Sequence, residues 1–339
     1  MWYDSINDWV YWYGGEPYAE NKANFPTVWG FPIENEGNFK WSFSGFTELC
    51  SSAYATTATA YYSLGGYTSY ANDPAVTGIG GYRPAISRLV KYDFQNQTWS
   101  NSSTVGMAGY EEGLSVVGQG VFVPIFGKDG IIIFLGGDSP TSQDWKIASS
   151  LQPMSQITIF DVSSGQSYSQ PATGTSIPVS RVSFCAVGVG ASDSSTREIV
   201  ATDLSFEWFK APVEVTNRLD HQCEVIVSRQ MLSIGGIIEN NVTHKDPWAN
   251  GLGIWDMTEV AWKTEYDPHA APYTPSSIIK EHYQDSTKHY PKSWGNPTFE
   301  FIFRASRNIS NMAPNNTASP KASPKDTLAD PTKVPSAAN

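Results

Sequence analysis

The sequence predicts an all-β protein, a propeller of repeated four-stranded blades followed by a disordered tail. Three observations predict it. The first is composition: 339 residues hold 12 Trp, 17 Tyr, 28 Gly and 22 Pro, with 13% aromatics, a mixture that favours strands and turns over helices. The second is a phrase that recurs, an apolar or aromatic run that stops on two glycines. It ends at Gly14-Gly15 in WVYWYGG, at Gly65-Gly66 in YYSLGG, at Gly136-Gly137 in IIIFLGG and at Gly235-Gly236 in MLSIGG. The third is an apolar strand after each doublet that closes on an aromatic: Trp41, Trp99, Tyr168 and Trp262.

Spacing turns these phrases into blades. The second glycines stand 51, 71 and 99 residues apart, against about 50 residues for one four-stranded blade of the repeat type with this spacing. The first step fits directly and the third is close to two periods. The surplus in the second is absorbed by the Gly/Pro-rich loop from Tyr67 to Ser87. Paired aromatics Tyr92 and Trp99, Phe160 and Tyr168, and Trp255 and Trp262 flank polar turns and read as hairpins. Trp208, in LSFEWFK, is a fifth closing aromatic without a doublet before it, and it falls inside the long step. Five blades are therefore traceable, the fourth of them shortened. In the first and last traced blades 26 residues separate the second glycine from the closing aromatic, whereas only Ala191 to Glu207 remain in the fourth for two strands and a loop.

In this reading the aromatic runs are strands buried on both faces between neighbouring blades. The glycines adopt backbone angles closed to other residues and let a neighbour pack on bare backbone. The first blade shows no convincing innermost strand before Trp9, and the segment around Trp294 is expected to supply a strand that closes the ring.

Net charge is -11, with no basic run, which excludes nucleic acid as a partner; the acidity reads as solubility. No segment approaches the ~20 apolar residues of a membrane span. The first residues carry Asp4 and Asp8 and no basic region, unlike a signal peptide. Five N-glycosylation triplets, at Asn96, Asn101, Asn241, Asn308 and Asn315, point the other way, to the secretory pathway or the cell surface. From Arg304 onward there is one Leu, one Ile, one Val and no aromatic. This predicts two parts, a propeller over 1–303 and a disordered Ser/Thr/Pro-rich tail over 304–339.

The stretch Asn217 to Gly236, NRLDHQCEVIVSRQMLSIGG, places Arg218 and His221 in an R-x-x-H phrase ahead of two strands and a doublet. Together with the spaced doublets and closing aromatics it resembles a kelch-repeat β-propeller. DSINDWVYWYGG, RQMLSIGG and SWGNPTFEFIF narrow the likeness, which covers residues 1 to 303, to fungal kelch-repeat surface proteins. The resemblance implies six or seven blades in an intact relative and a structural hydrogen bond for His221. Relatives of that group also carry an export signal and a membrane anchor, neither of which stands at the ends of this chain.

No catalytic, cofactor or metal residue is assigned. The chain has no phosphate loop, no G-x-S-x-G elbow and no sialidase box. The sharp enzymatic alternative is a galactose-oxidase-like copper radical enzyme, which shares the kelch propeller and needs two His, two Tyr and a Cys joined to a Tyr. Among His221, His244, His269, His282 and His289, the pairs His282-Tyr283 and His289-Tyr290 suit copper by softness, with no Cys near them in sequence. Cys185 and Cys223 fall in the first strands of adjacent blades, where a disulfide is geometrically plausible and two buried thiols are the alternative. The functional expectation is a non-catalytic scaffold for an unidentified protein or glycan. Its contact candidates are the loops Tyr67 to Ser87 and Asn240 to Asn250. The other alternative is a truncated product with no function of its own.

Overall fold

The computed structural model describes residues 1–15, 28–33, 40–42, 49–69, 72, 73, 76, 84–110, 112–141, 149–190, 197–199, 206–212, 218–226, 229–238, 241, 243–288 and 290–312. Four antiparallel four-stranded sheets carry the fold. The first is β1 (Trp2–Asp4), β2 (Trp9–Tyr13), β3 (Val28–Pro32) and β4 (Lys40–Ser42). The second is β5 (Ala53–Thr56), β6 (Ala60–Leu64), β7 (Arg88–Asp93) and β8 (Thr98–Ser103). The third begins with β9 (Gln119–Val123) and β10 (Ile131–Leu135). After the side hairpin β11 (Asp138–Pro140) and β12 (Ser149–Leu151) it ends with β13 (Gln156–Asp161) and β14 (Ser167–Pro171). Next comes a sheet with two strands among the described residues, β15 (Gly188–Gly190) and β16 (Arg197–Ile199). In the last blade a short ladder of β17 (Arg218–Leu219) and β20 (Ile237–Ile238) stands beside β18 (Gln222–Ile226), β19 (Gln230–Ile234), β21 (Leu252–Asp256) and β22 (Ala261–Lys263). Two helices follow, α1 (Ser277–Tyr283) and α2 (Pro297–Met312).

The sheets stack face on face because their second strands are apolar on both sides. All five residues of β6 and of β10 are buried. Ile132 and Phe134 of β10 pack with Ala53, Ala55, Tyr62 and Leu64 of the second blade. Ile131, Ile133 and Leu135 face the opposite way. Tyr61, Tyr92 and Phe94 of the second blade pack in turn on Trp2, Tyr11, Tyr13 and Val28 of the first. First strands crowd the centre: a Cβ on Gly120 of β9 would lie 2.6 Å from the Tyr54 carbonyl oxygen of β5. These blades are those of a β-propeller.

The shortened fourth blade is the two-stranded sheet. A Cβ on Gly188 would lie 3.0 Å from Val121 of β9, so β15 stands where the fourth blade's first strand belongs. The closing aromatic Trp208 is 2% exposed and donates its indole N–H to the Met154 carbonyl at 2.7 Å.

Three expectations are corrected. The first blade does have an innermost strand, since β1 pairs with β2 through Trp2 and Tyr11, Tyr3 and Val10, and Asp4 and Trp9. It was hidden because it is three residues long and ends at once in a turn. The segment after Trp294 is helical, not a strand. FEFIF satisfies a strand's alternation, but it also sets Phe299 and Phe303 four apart on one helical face. Asn296 decides between the two, its side-chain oxygen accepting the N–H groups of Thr298 (2.8 Å) and Phe299 (3.4 Å) as an N-cap, with Pro297 at the first helical position. Helix α2 runs through the boundary drawn at 303, and residues 313–339 lie outside the described ones. Third, Cys185 precedes β15 and lies in no strand. Backbone bonds around it go to loops, with Gly137 donating to Arg181 and Ser183 donating to Val117. Cys185 is nonetheless joined to Cys223 of β18, Cα to Cα 5.8 Å, tying the fourth blade to the last; Cys50 is buried outside that bond, and its thiol donates to the Asn72 side-chain oxygen at 3.4 Å.

Every doublet glycine has positive φ. Gly65 shows why no other residue serves: a Cβ there would sit 2.1 Å from the Ser115 carbonyl oxygen, whereas Gly165, at a similar φ, has open space. Gly165→Ala should therefore cost about 1 kcal/mol, the left-handed strain alone, and Gly65→Ala about 3 kcal/mol or more, read by urea unfolding. Peptide mapping of the non-reduced protein should recover Cys185 and Cys223 in one linked pair, and Cys185→Ser should lower stability by about 2–4 kcal/mol.

Candidate functional site

Most residues singled out by the repeat pattern are placed as internal supports. Trp99 packs with Tyr92 at 4.8 Å and Tyr13 at 5.2 Å, ring centre to ring centre. Tyr168 stacks on Phe299 of α2. Trp262 lies between Trp248 and Trp255. Trp41 stands opposite Trp29 in the β3–β4 register.

Arg218 is the strongest tie in the last blade. Its side chain is 3% exposed. The guanidinium makes a forked pair with Asp246 at 2.7 and 3.0 Å, donates to the Gly235 carbonyl at 2.6 Å and lies 3.8 Å over the Trp248 ring. The fork holds the Asp246 carboxyl below its ordinary pKa. The Asn240 to Asn250 loop is thus clamped to the blade through Asp246 and Trp248. His221 plays the lesser part. Its Nδ1 is buried without a hydrogen-bond partner, and burial, with Arg218 nearby, pushes the imidazole pKa down. Most of the Tyr67 to Ser87 loop lies outside the described residues; Tyr67 itself bridges Cys50 and Ala85.

The acceptor asparagines fall in several settings. Asn96, in the β7–β8 turn, and Asn101, on β8, are exposed. Asn241 is half-buried and accepts from the N–H and hydroxyl of Thr243. Asn308 lies in α2, and Asn315 lies outside the described residues. Of the two HY pairs, the described residues contain both members of the first and only Tyr290 of the second. His282 of α1 has Nε2 3.4 Å from Glu207 and its ring against Phe209, while His289 is outside the described residues. Among the described residues no three of His, Cys, Asp and Glu converge as a metal set.

Two features escaped sequence reasoning. One is a polar contact between the second blade and the last. Gln222 of β18 hydrogen-bonds the Tyr54 phenol of β5, whose pKa is pushed up by burial and then by the charge of Glu224. Only the fold brings together residues so far apart in sequence.

The other is the outer face of the first blade. WVYWY was read as buried on both faces. That holds for β6 and β10 and fails for β2, where Tyr11 and Tyr13 are buried and Trp12 is 54% exposed. The physical reason is that, among the described residues, no further blade lies over this side. Register places Tyr3 opposite Val10 and Val10 opposite Phe31, with Trp12 opposite Trp29 in the same β2–β3 pair. Tyr3 is 44% and Phe31 45% exposed, and Ile6 and Ile33 at the ends of these strands are exposed as well. The result is an aromatic face on rigid strands. Among the described residues no apolar cluster joins it to the last blade.

No protein-family model matches the chain. It is similar to a kelch repeat-containing protein of the fungus Arthroderma benhamiae, 26% identical over 196 residues, which are 50% of this chain and 27% of that relative. The match thus spans about a quarter of the relative's length.

Truncating Arg218 should leave the Asp246 carboxylate and Trp248 without their partner. Arg218→Ala is expected to lower stability by about 2–4 kcal/mol, with no rescue by Lys, which lacks the planar fork. Asp246 has a lowered folded pKa, so its contribution is present above the unfolded value near ~4 and is lost as pH falls through the folded one. Urea unfolding as a function of pH should show a flatter acid limb in Arg218→Ala.

Proposed function

We propose that this β-propeller, similar in sequence to a fungal kelch repeat-containing protein, is a non-catalytic scaffold binding a protein or glycan at the fungal cell surface. The observation that carries this reading is the exposed aromatic face of the first blade. Trp and Tyr offer large contact area at low entropic cost and keep a polar handle for a wet surface. Exposed aromatic patches on otherwise close-packed proteins mark contact sites. Here they sit on strands fixed from behind by Trp2, Tyr11, Tyr13 and the second blade, so a ligand meets a preformed surface and little ordering cost is left to offset.

The surface location is supported by two independent features. Asn96 and Asn101 present two acceptor triplets on exposed positions of one hairpin. The Cys185–Cys223 bond belongs to oxidising compartments. Among the described residues no helix is long and apolar enough to cross a membrane.

The test is a binding comparison on the folded chain, against insoluble chitin, insoluble β-1,3-glucan and surface proteins captured by cross-linking on intact fungal cells. Wild type should bind at least one of these. Trp12→Ser with Phe31→Ser should weaken that binding about 10-fold or more while leaving the melting temperature within about 2 °C. Binding unchanged in the double variant would remove the first-blade face from the reading.

A further inference from the structure

We infer that the C-terminal segment carrying α1 and α2 is a docked strap that completes the cover of the third blade, beside a fourth position that has two paired strands among the described residues. Ile131, Ile133 and Leu135 of β10, with Ile157 and Ile159 of β13, form the face of the third blade turned away from the second. At the other junctions such a face is covered by the four strands of the next blade. Here the fourth position supplies β15, β16 and the Phe206–Trp208 strip. The rest of the cover is Phe299 and Phe303 of α2, both 0% exposed, with Trp294 beside them. Phe303 stacks on Phe126 at 4.2 Å, and both helix phenylalanines lie 5.9 Å from Phe206. Phe301, on the opposite side of the helix, is 72% exposed. One helical face has taken the work of a sheet face.

Two further contacts mark a built seat. Gln170 of β14 is fully buried. Its amide N–H donates to the Ser293 carbonyl at 2.9 Å and its oxygen accepts the Gly295 N–H at 3.1 Å. The chain passes so close there that a Cβ on Gly295 would lie 1.8 Å from the Ser169 carbonyl oxygen. Glu207, from the fourth-blade strip, lies 3.4 Å from His282 Nε2 and 3.7 Å from Lys292 Nζ, both from the strap. Among the described residues these contacts hold the two helices, with no strand pairing to a blade; the connection before them is fixed separately, with Tyr273 in the core of the last blade and the Thr274 N–H donating to the Thr258 hydroxyl. The strap reaches its seat by a connection whose first part, residues 264–269, is exposed. Docking is therefore separable from the folding of each sheet, and the third blade closes only when the strap is seated.

The test uses the full chain with a protease recognition site inserted after Thr274, so that Tyr273 stays with the last blade. After cleavage under native conditions the C-terminal fragment should co-elute with the propeller. Phe299→Ala with Phe303→Ala should release it and raise amide hydrogen exchange in β13 and β14 at least about 10-fold, while Phe301→Ala changes neither. Gly295→Ala keeps every apolar side chain and drives a methyl into the Ser169 carbonyl. It should weaken retention in the same way, and it serves if the double variant does not fold. The inference is overturned if the cut wild-type fragment separates without any change in β13–β14 exchange. It is equally overturned if Gly295→Ala and the double phenylalanine variant both leave retention and exchange as in wild type.

Discussion

A strand that is apolar on both of its faces must have a neighbour on each side, and this requirement organises the molecule. β10 sends Ile131, Ile133 and Leu135 one way and Ile132 and Phe134 the other. Burying one such side chain contributes about 1.5–3 kcal/mol, and the net stability of a domain is about 5–15 kcal/mol. Leaving even one face of one blade open would consume much of that margin. Stacking of blades follows, and so does the pressure on any place where a blade is short.

The close approach that stacking demands explains the glycines, and it also explains an acidic pattern that the aromatics had obscured. Asp4, Asp93, Asp161 and Asp256 each end a strand and accept backbone N–H groups of the turn that follows: Ile6 and Asn7, Asn96, Ser164, and Thr258 and Glu259. These are turn caps of the kind short acidic side chains make. They let a hairpin reverse tightly while the aromatics beside them stay in the stack. In the second and last blades Asp93 and Asp256 also meet cations, Lys91 at 3.3 Å and Arg229 at 2.9 Å. Acidity that looks dispersed in the sequence is partly spent on this one geometric task.

What was legible in the sequence was local or periodic. The doublets, the closing aromatics and the shortfall before Trp208 can all be counted along the chain, and they correspond to the blades, the stacked rings and the two-stranded sheet. What was not legible depended on neighbours. Nothing in WVYWY distinguishes a strand between two blades from one at the end of the stack, because its alternation of large residues serves either. FEFIF is ambiguous between the two periods, and the signal that settles it, Asn296 followed by Pro297, lies outside the aromatic run. The Tyr54–Gln222 contact and the clasp of Gln170 on residues 293 and 295 depend on positions more than a hundred residues apart, which no spacing rule reaches.

Among the described residues two faces lack a complete following blade; they are made of different material, and the difference follows from whether each is sealed. Where α2 seats, the third blade presents Ile131, Ile133, Leu135, Ile157 and Ile159, aliphatic side chains with no polar atom to leave in water. Such a face is stable only when covered, and a helix with two phenylalanines four residues apart is enough to cover it. The first blade instead presents Tyr3 and Trp12 beside Phe31, and the Tyr3 hydroxyl already donates to Asp8 at 2.5 Å. Indole and phenol rings tolerate a wet boundary because one edge can hydrogen-bond while the ring face stays apolar. An aliphatic face at that position would require a permanent lid. An aromatic one can stand open and still offer contact area.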